Sequence, residues 1–531
     1  MLDLEIGNGS PPGLAIIADP GVKEVPQDIR IGFPVLPEVG GATHFALLRE
    51  WLRACNEKKG CYQAPIQLPP LPKRLLDVGG QNLLLKEINS QEERIPLDST
   101  SEDRRYIALS HRWGDPTEDE KAKFCTYACN IKERTEGINF DNLPKTFRDA
   151  VTVARELGIR YLWIDSMCIM QAHEKCADGN CGPGSGDWAT EAEKMEQYFG
   201  SAYCTVAADS AKGPNDGLFQ SRQARQCVRI PNQEGSTVYL CKGIDNFDHD
   251  VDKGVLNQRG WVFQERALSC RTIHYTNTQT YWECGCRIRC ETLGALKPPL
   301  RYSLHEPRFP RPNALTRYAG QEILKFAFQQ YSKLSLTRCS DRPIAISGVV
   351  NRFVKCLDSR EICGIFEKYL HQSLLWRRTV KGKMRRIAET QTPMPSWSWM
   401  AYEGEIEYID IGDGFIGSQI PFPSAESSRS STGLDMELRE PVRGLKWEDT
   451  NEDEQQLTFD GENPNKDNKI CAQELKLAIV GCTSLSGERG FWVYVLIVRP
   501  CSAGSTYERV GAGRILERYM NDVLGVTVRV H

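Results

Sequence analysis

From residue 105 onward, short apolar runs alternate with helical stripes. Residues 106–109 form a compact apolar run closed by Trp113-Gly114-Asp115-Pro116, the pattern of a strand ending in a turn. Phe147, Ala150, Val151, Ala154 and Leu157 then recur at helical spacing and predict one buried stripe. Asn142 is expected as the N-cap, with Pro144 in the first turn, where its missing N–H costs little. Gly158 stands where a helix-terminating glycine belongs. Residues 159–164 have almost no polar interruption, as in a central parallel strand buried on both faces. Residues 191–199 read as a second helix and 203–208 as a third buried strand. Strand, helix, strand, helix, strand at this spacing predicts an α/β fold with a parallel sheet.

Outside this core the pattern changes. Residues 1–40 are rich in Pro and Gly without sustained periodicity and read as largely irregular. Residues 45–52 suit a short amphipathic helix, 64–72 are a Pro-rich bridge, and 75–78 with 81–86 form a strand pair about Gly79-Gly80. Beyond Arg271, residues 272–275 and 280–283 predict a hairpin joined through Asn277-Thr278. Residues 315–334 and 360–376 read as helical. Pro395-Ser396-Trp397-Ser398-Trp399 leads into strands near Ile406 and Ile409, and 475–480 and 492–498 read as late strands. The Ser-rich stretch 424–432 and the acidic, polar stretch 448–469 are expected as flexible insertions. The boundaries that follow are an N-terminal segment at 1–100, an α/β domain at 101–290, a helical and mixed region at 291–445, and an acidic linker with C-terminal strands at 446–531.

A chain of 531 residues is long for one hydrophobic core and predicts two or more domains. Lys and Arg total 66 against 70 Asp and Glu, a balance that argues against a nucleic-acid partner. The basic run 381–386 reads as a solvated loop. Residues 1–21 lack a basic start followed by an apolar segment, so no signal peptide is expected. The apolar run 491–498 is far shorter than the ~20 residues needed to span a bilayer. Twenty cysteines spread over this length make no disulfide scaffold, and reduced thiols in a cytoplasmic protein are expected.

Ligands of open parallel sheets bind beyond the carboxyl ends of the strands. Those ends carry Ser110, His111, Arg112 and Asp115 on the first strand, Asp165, Ser166 and Cys168 on the second, and Asp209 and Ser210 on the third. Hydroxyls, carboxylates, an imidazole and a guanidinium therefore converge on one edge, a crevice suited to a nucleotide or sugar. Cys168 and His111 are a conceivable nucleophile and base, although a cysteine between Met167 and Ile169 reads first as packed. Cys284-Gly285-Cys286 with Cys290 supplies half of a zinc pattern, and Cys168, Cys176 and Cys181 a looser group. Neither has a clear second pair, so no metal is expected. No nucleophile elbow or phosphate-binding glycine loop is present.

Three segments carry a family resemblance: Tyr106-Ile107-Ala108-Leu109-Ser110-His111-Arg112-Trp113-Gly114-Asp115, then Leu143-Pro144-Lys145-Thr146-Phe147 running to Tyr161-Leu162-Trp163-Ile164-Asp165-Ser166-Met167-Cys168-Ile169, and finally Arg259-Gly260-Trp261-Val262-Phe263-Gln264-Glu265-Arg266. In order and wording they resemble the three blocks of the HET (heterokaryon incompatibility) domain of filamentous fungi. Residues 75–86 look like the segment that precedes such domains. Tyr331-Ser332 to Asp341-Arg342, the 395–399 run and Tyr507-Glu508-Arg509-Val510-Gly511 resemble the tail of stand-alone members. Cys55 and Cys61 resemble part of an upstream Cys/His/Cys cluster, but lysines occupy the intervening positions.

The resemblance implies an incompatibility or innate-immunity effector that promotes regulated cell death. HET domains also look distantly similar to TIR domains, some of which hydrolyse NAD at the nicotinamide–ribose bond. Trp261 and Glu265 match the spacing of the TIR Trp and catalytic Glu, which puts both on one helix face. That implies Glu265 as the catalytic carboxylate and Ser110, His111, Arg112, Asp115, Asp165, Ser166 and Trp261 as pocket residues, with NAD as substrate and no bound cofactor. The sequence departs from the TIR pattern at Val262, usually cysteine, and at Arg266, usually apolar. An Arg266 paired with Glu265 or Asp165 would make Glu265 structural, and Trp113, Trp163 and Trp261 read first as packing residues. The alternative is a non-catalytic signalling module acting through self-assembly or an incompatibility partner protein.

Overall fold

The computed structural model describes residues 14–18, 30–31, 36, 38–58, 71–88, 104–172, 181, 184–222, 227–231, 237–243, 245–285, 287–292, 295–296, 317–380, 382–387, 394–423, 433–440, 455–461, 475–484, 490–501, 506–521 and 525–531. The chain divides into two compact units, Met1–Phe309 with Ser347–Val349, and Pro310–Ile346 with Val350–His531.

The first unit begins with β1 (Leu14–Ala18), β2 (Arg30–Ile31), α1 (Ala42–Glu57), β3 (Arg74–Asp77) and β4 (Leu84–Glu87). Next come β5 (Tyr106–Ser110), α2 (Glu118–Phe124), α3 (Ile131–Glu136), α4 (Lys145–Glu156), β6 (Tyr161–Ile164) and α5 (Asp165–Cys168). They are followed by α6 (Trp188–Ala192), α7 (Met195–Ser201), β7 (Cys204–Ala207), β8 (Cys227–Pro231) and β9 (Thr237–Lys242). The unit closes with α8 (Gly260–Leu268), β10 (Arg271–Tyr275), β11 (Thr280–Cys284), β12 (Arg287–Cys290) and β13 (Ala295–Leu296).

Nine strands form one sheet in the order β13-β12-β11-β10-β7-β5-β6-β3-β4. Its centre, β10-β7-β5-β6, is parallel, and β5, β6 and β7 are buried along their whole length, as their unbroken apolar character requires. The expected parallel sheet is thus a mixed one. The short links 78–83 and 276–279 join adjacent strands, and a link that short closes only an antiparallel pair. The hairpins β3–β4 and β10–β11 flank the parallel core accordingly.

Helix α4 buries Phe147, Ala150, Val151 and Ala154 as expected, and Gly158 has φ +70°. Leu157 lies just past the helix and is only half-buried. Asn142 is not the N-cap. It closes a short 3-10 turn, Phe140–Asn142, capped by the Asn139 side chain, and Pro144 precedes the first turn of α4. Residues 191–199 form two short helices instead of one. The chain tightens where Lys194 N–H donates to the Glu191 carbonyl and Gln197 N–H to that of Lys194, which sets Tyr198 and Phe199 against Trp163 at ring separations of 5.5 and 5.4 Å. Residues 1–40 are less irregular than expected: β1 pairs antiparallel with β9 and parallel with β2, and β8 adds beyond β9. Pairing between positions so far apart in sequence leaves no local periodicity.

The second unit holds a helix at Arg317–Ser332, as expected, and a seven-stranded sheet that includes Lys476–Ser484, Phe491–Pro500 and Thr506–Leu516. Residues 360–376 are not one helix. Cys363 and Gly364 adopt φ of +50° and +81° and turn Glu361–Ile362 back onto Ile365–Phe366, a two-residue hairpin; a 3-10 turn, Glu367–Tyr369, and a short α-helix, Leu370–Leu374, follow. Within the expected acidic insertion, Gln455–Phe459 is a strand paired with Thr506–Leu516; 424–432 and most of 448–469 lie outside the described residues. The resembling motifs are packing anchors here. Trp397 and Trp399 are buried. Arg509 lies 3.3 Å from the centre of the Trp376 ring, pairs with Asp460 at 2.8 Å and donates to the Leu374 carbonyl at 2.9 Å.

Candidate functional site

The β5–β6 crossover runs to one side of β5 and the chain from β7 to β10 to the other, so the switch point of the parallel core lies between β5 and β7, the position where open α/β sheets bind ligands. Ser110, last residue of β5, sits opposite Ala207 of β7. Helix α8 lies over this point. At its C-terminal cap the Ser269 hydroxyl donates to the Glu265 carbonyl at 2.7 Å and meets the Thr205 hydroxyl of β7 at 2.7 Å. So held, Glu265 accepts a 2.5 Å hydrogen bond from Ser110 through Oε2. The pair is enclosed, Glu265 being 7% exposed and Ser110 3%. Burial pushes the Glu265 carboxyl up to about 7; the Ser110 hydroxyl draws it down, Asp165 pushes it further up and Arg259 opposes that.

Asp165 opens α5 beside this pair. Its Oδ1 accepts from the Ser166 N–H at 2.7 Å and its Oδ2 from the Trp113 indole at 3.0 Å. His111 Nδ1 lies 3.8 Å from Asp165 Oδ1, the His111 ring stands edge-on to Phe147, and the His111 carbonyl accepts from Arg259 at 3.0 Å. Burial holds the His111 imidazole below its ordinary value, against the pull of Asp165. Two buried polar atoms here, His111 Nε2 and Ser166 Oγ, have no hydrogen-bond partner. Five of the expected residues, Ser110, His111, Asp165, Ser166 and Glu265, are therefore brought together.

The others stand apart. Arg112 is half-buried and Asp115 exposed. Trp261 is half-buried and meets Trp188 edge to face at 5.4 Å. Cys168 makes no pair with His111: its thiol points to the Leu162 carbonyl at 3.9 Å and burial pushes it up to about 12, because α5 turns the side chain into the core. Arg266 pairs with neither Glu265 nor Asp165. One helical residue rotates about 100° from the last, so Arg266 faces β11, grips Glu283 through Nε and Nη2 at 2.9 and 3.1 Å, and reaches Asp252 at 2.7 Å. Cys61, Cys176 and Cys286 lie outside the described residues. Among the described residues no group of three His, Cys, Asp or Glu is arranged to hold a metal ion, and no helix is long and apolar enough to cross a membrane.

A second buried cluster contains Asp209, named from its strand end, together with Asn257, His274 and Glu283, which sequence reasoning missed. Asp209 accepts from Asn257 at 2.6 Å and lies 2.8 Å from His274 Nδ1, whose Nε2 lies 3.0 Å from Glu283. A carboxylate at each ring nitrogen favours the doubly protonated imidazolium. Although burial disfavours the charge, Asp209 and Glu283 override it and lift His274 to about 9. The available signal was the placing of two ionisable residues, His274 and Glu283, within the predicted hairpin 272–275 and 280–283. A cavity of about 10 Å³, lined by Ser110, Asn257, Arg266 and His274 among others, lies between this cluster and Ser110 and has room for about one water.

Two expectations follow. Ser110→Ala removes the donor that favours the Glu265 carboxylate, so the Glu265 carboxyl band in infrared titration should move upward by about one pH unit, the worth of one charge-assisted hydrogen bond; an unmoved midpoint contradicts the bond. For His274, a folded value above the ordinary 6.5 means its stabilisation is complete below pH 6.5 and is lost as pH rises through about 9. Urea unfolding should show wild type losing on the order of 1–3 kcal/mol relative to His274→Gln across that window; a constant difference would refute the charged imidazole.

The family model described as Heterokaryon incompatibility protein (HET) matches residues 106–265, from the first residue of β5 to the carboxylate that meets Ser110. No curated protein and no solved structure matches the chain. The three sequence blocks thus fold into one parallel core and close on one side-chain pair, and residues 106–265 carry the match to the heterokaryon incompatibility (HET) domain.

Proposed function

We propose that this protein is a cytoplasmic effector of heterokaryon incompatibility and fungal innate immunity that promotes regulated cell death by TIR-like hydrolysis of NAD at its nicotinamide–ribose bond. The observation that carries the reading is the Ser110–Glu265 hydrogen bond at the switch point of the parallel core. In the reaction the bond from the ribose anomeric carbon to the nicotinamide nitrogen breaks, water supplies hydroxide to that carbon, and a proton is released with nicotinamide and ADP-ribose. Positive charge develops on the ribose as the bond lengthens, and a carboxylate beside it stabilises that charge, as in glycoside hydrolysis. Nicotinamide leaves as a neutral group, so no strong general acid is needed. Ser110 keeps Glu265 in place and favours its ionised form, and His111 Nε2 and Ser166 Oγ are buried close by without hydrogen-bond partners. With the carboxyl lifted to about 7, turnover should rise with pH through that value.

A second reading rests on a different observation. Glu265 and Ser110 are both closed to solvent, which suits a non-catalytic module that acts by assembling with itself or with an incompatibility partner protein. The deciding experiment is NAD turnover by the purified full-length protein at high concentration, wild type beside Glu265→Gln. Nicotinamide release by wild type alone is the expected result. No release by either protein overturns the enzymatic reading in favour of assembly.

A further inference from the structure

Strands β8 and β9 set two cysteines face to face. Cys227 and Cys241 are direct cross-strand partners, and their Sγ atoms stand 2.8 Å apart, closer than thiols in ordinary van der Waals contact. Directly opposed residues of an antiparallel pair have Cα atoms about 4.5–5.5 Å apart, inside the range of about 4.4–6.8 Å over which a disulfide closes. The pairing is therefore compatible with a disulfide. The two sulfurs differ in access: Cys227 is half-buried, and Cys241 is 1% exposed.

We propose that Cys227 and Cys241 form a dithiol–disulfide modification site whose co-reactant is a low-molecular-weight disulfide. The accessible Cys227, as its thiolate, attacks one sulfur of the co-reactant and releases one thiol, leaving a mixed disulfide. Cys241 gives up its proton and displaces the second thiol from Cys227. Two protein thiols are thereby oxidised to one S–S bond while the co-reactant's S–S bond is reduced to two thiols. The bond ties β8, the edge strand of the small sheet, to its neighbour. β8 carries two exposed apolar side chains, Val228 and Ile230 at 62% and 45%, so oxidation fixes the strand that presents them. The site shares no residue with the Ser110–Glu265 pair and does not depend on the reading of that pair.

The test uses the full-length protein equilibrated with oxidised glutathione, quenched in acid, alkylated with N-ethylmaleimide and digested without reduction. The expected product is a linked peptide joining residues 227 and 241, lighter by two hydrogens than the two thiol peptides together. It should be absent from Cys227→Ser, whose half-buried position tolerates the change, and lost on adding excess dithiothreitol. Amides of 227–230 and 237–242 should exchange hydrogen more slowly in the oxidised wild type and at an unchanged rate in oxidised Cys227→Ser. Recovery of both cysteines alkylated, or joined to glutathione or to other cysteines, overturns the proposal.

Discussion

Glu265→Gln is expected to yield a protein that is more stable than wild type above pH 7 and yet releases no nicotinamide. The folded carboxyl titrates near 7 instead of 4.5, chiefly because it is buried. A carboxyl raised in the fold holds its proton more tightly there than in the unfolded chain. Its contribution is therefore favourable below pH 4.5 and is lost as pH rises through 7. Above that, the fold carries an ionised buried group at up to about 3 kcal/mol. Gln keeps the shape and can still meet the Ser110 hydroxyl, but it cannot ionise. Urea midpoints should therefore favour the variant at pH 8 and converge at pH 4. Catalysis should fall by at least about 10²–10³, the usual cost of removing one preorganised electrostatic group from a reacting site. If burial did not raise the Glu265 carboxyl, the substitution would bring no gain in stability at pH 8 over pH 4.

Much of this site was legible in the sequence because the parallel core obeys local rules. A short apolar run bounded by turn residues suits a strand covered on both faces, and β5, β6 and β7 stand where such runs predicted. Once those strands are placed, their carboxyl ends follow, and with them Ser110, His111, Asp165 and Ser166. What was not legible depends on long-range pairing. The small sheet joins β1 to β9 across more than two hundred residues, and no pattern near residue 14 announces it. The direction of Arg266 was equally hidden, because a helix of nine residues with polar groups on several sides does not declare which faces which neighbour.

The same distinction separates the two polar clusters at the switch point. Ser110 and Glu265 come from two of the recognisable sequence blocks, and their meeting leaves an acid under strain from burial. Asp209, His274, Glu283 and Arg266 form a satisfied chain of alternating charge beside it. The first arrangement is expensive for the fold and suited to chemistry, whereas the second is what holds α8 against the β10–β11 hairpin. Adjacent residues of one helix, Glu265 and Arg266, thus belong to different tasks.

Arg266→Met is accordingly expected to destabilise the first unit by about 3–5 kcal/mol, the usual consequence of removing one partner from a buried ion pair. The guanidinium satisfies both oxygens of Glu283, which is 4% exposed, and it also meets Asp252. Methionine fills much of the same volume but strips Glu283 of the guanidinium that meets both its oxygens. Arg266→Lys should recover part of the loss, because an ammonium restores the charge without the two-pronged geometry. Combining Arg266→Met with Glu283→Gln should cost less than the sum of the single changes, since each alone strands the other's charge. Unfolding of all four proteins in urea measures these terms, and additive losses would contradict the pair. In the Arg266→Met protein the infrared titration of Glu265 should stay near 7, since Glu265 receives its hydrogen bond from Ser110. A displaced Glu265 midpoint would mean that the two neighbours share one network after all, and Glu265 would then be read as structural.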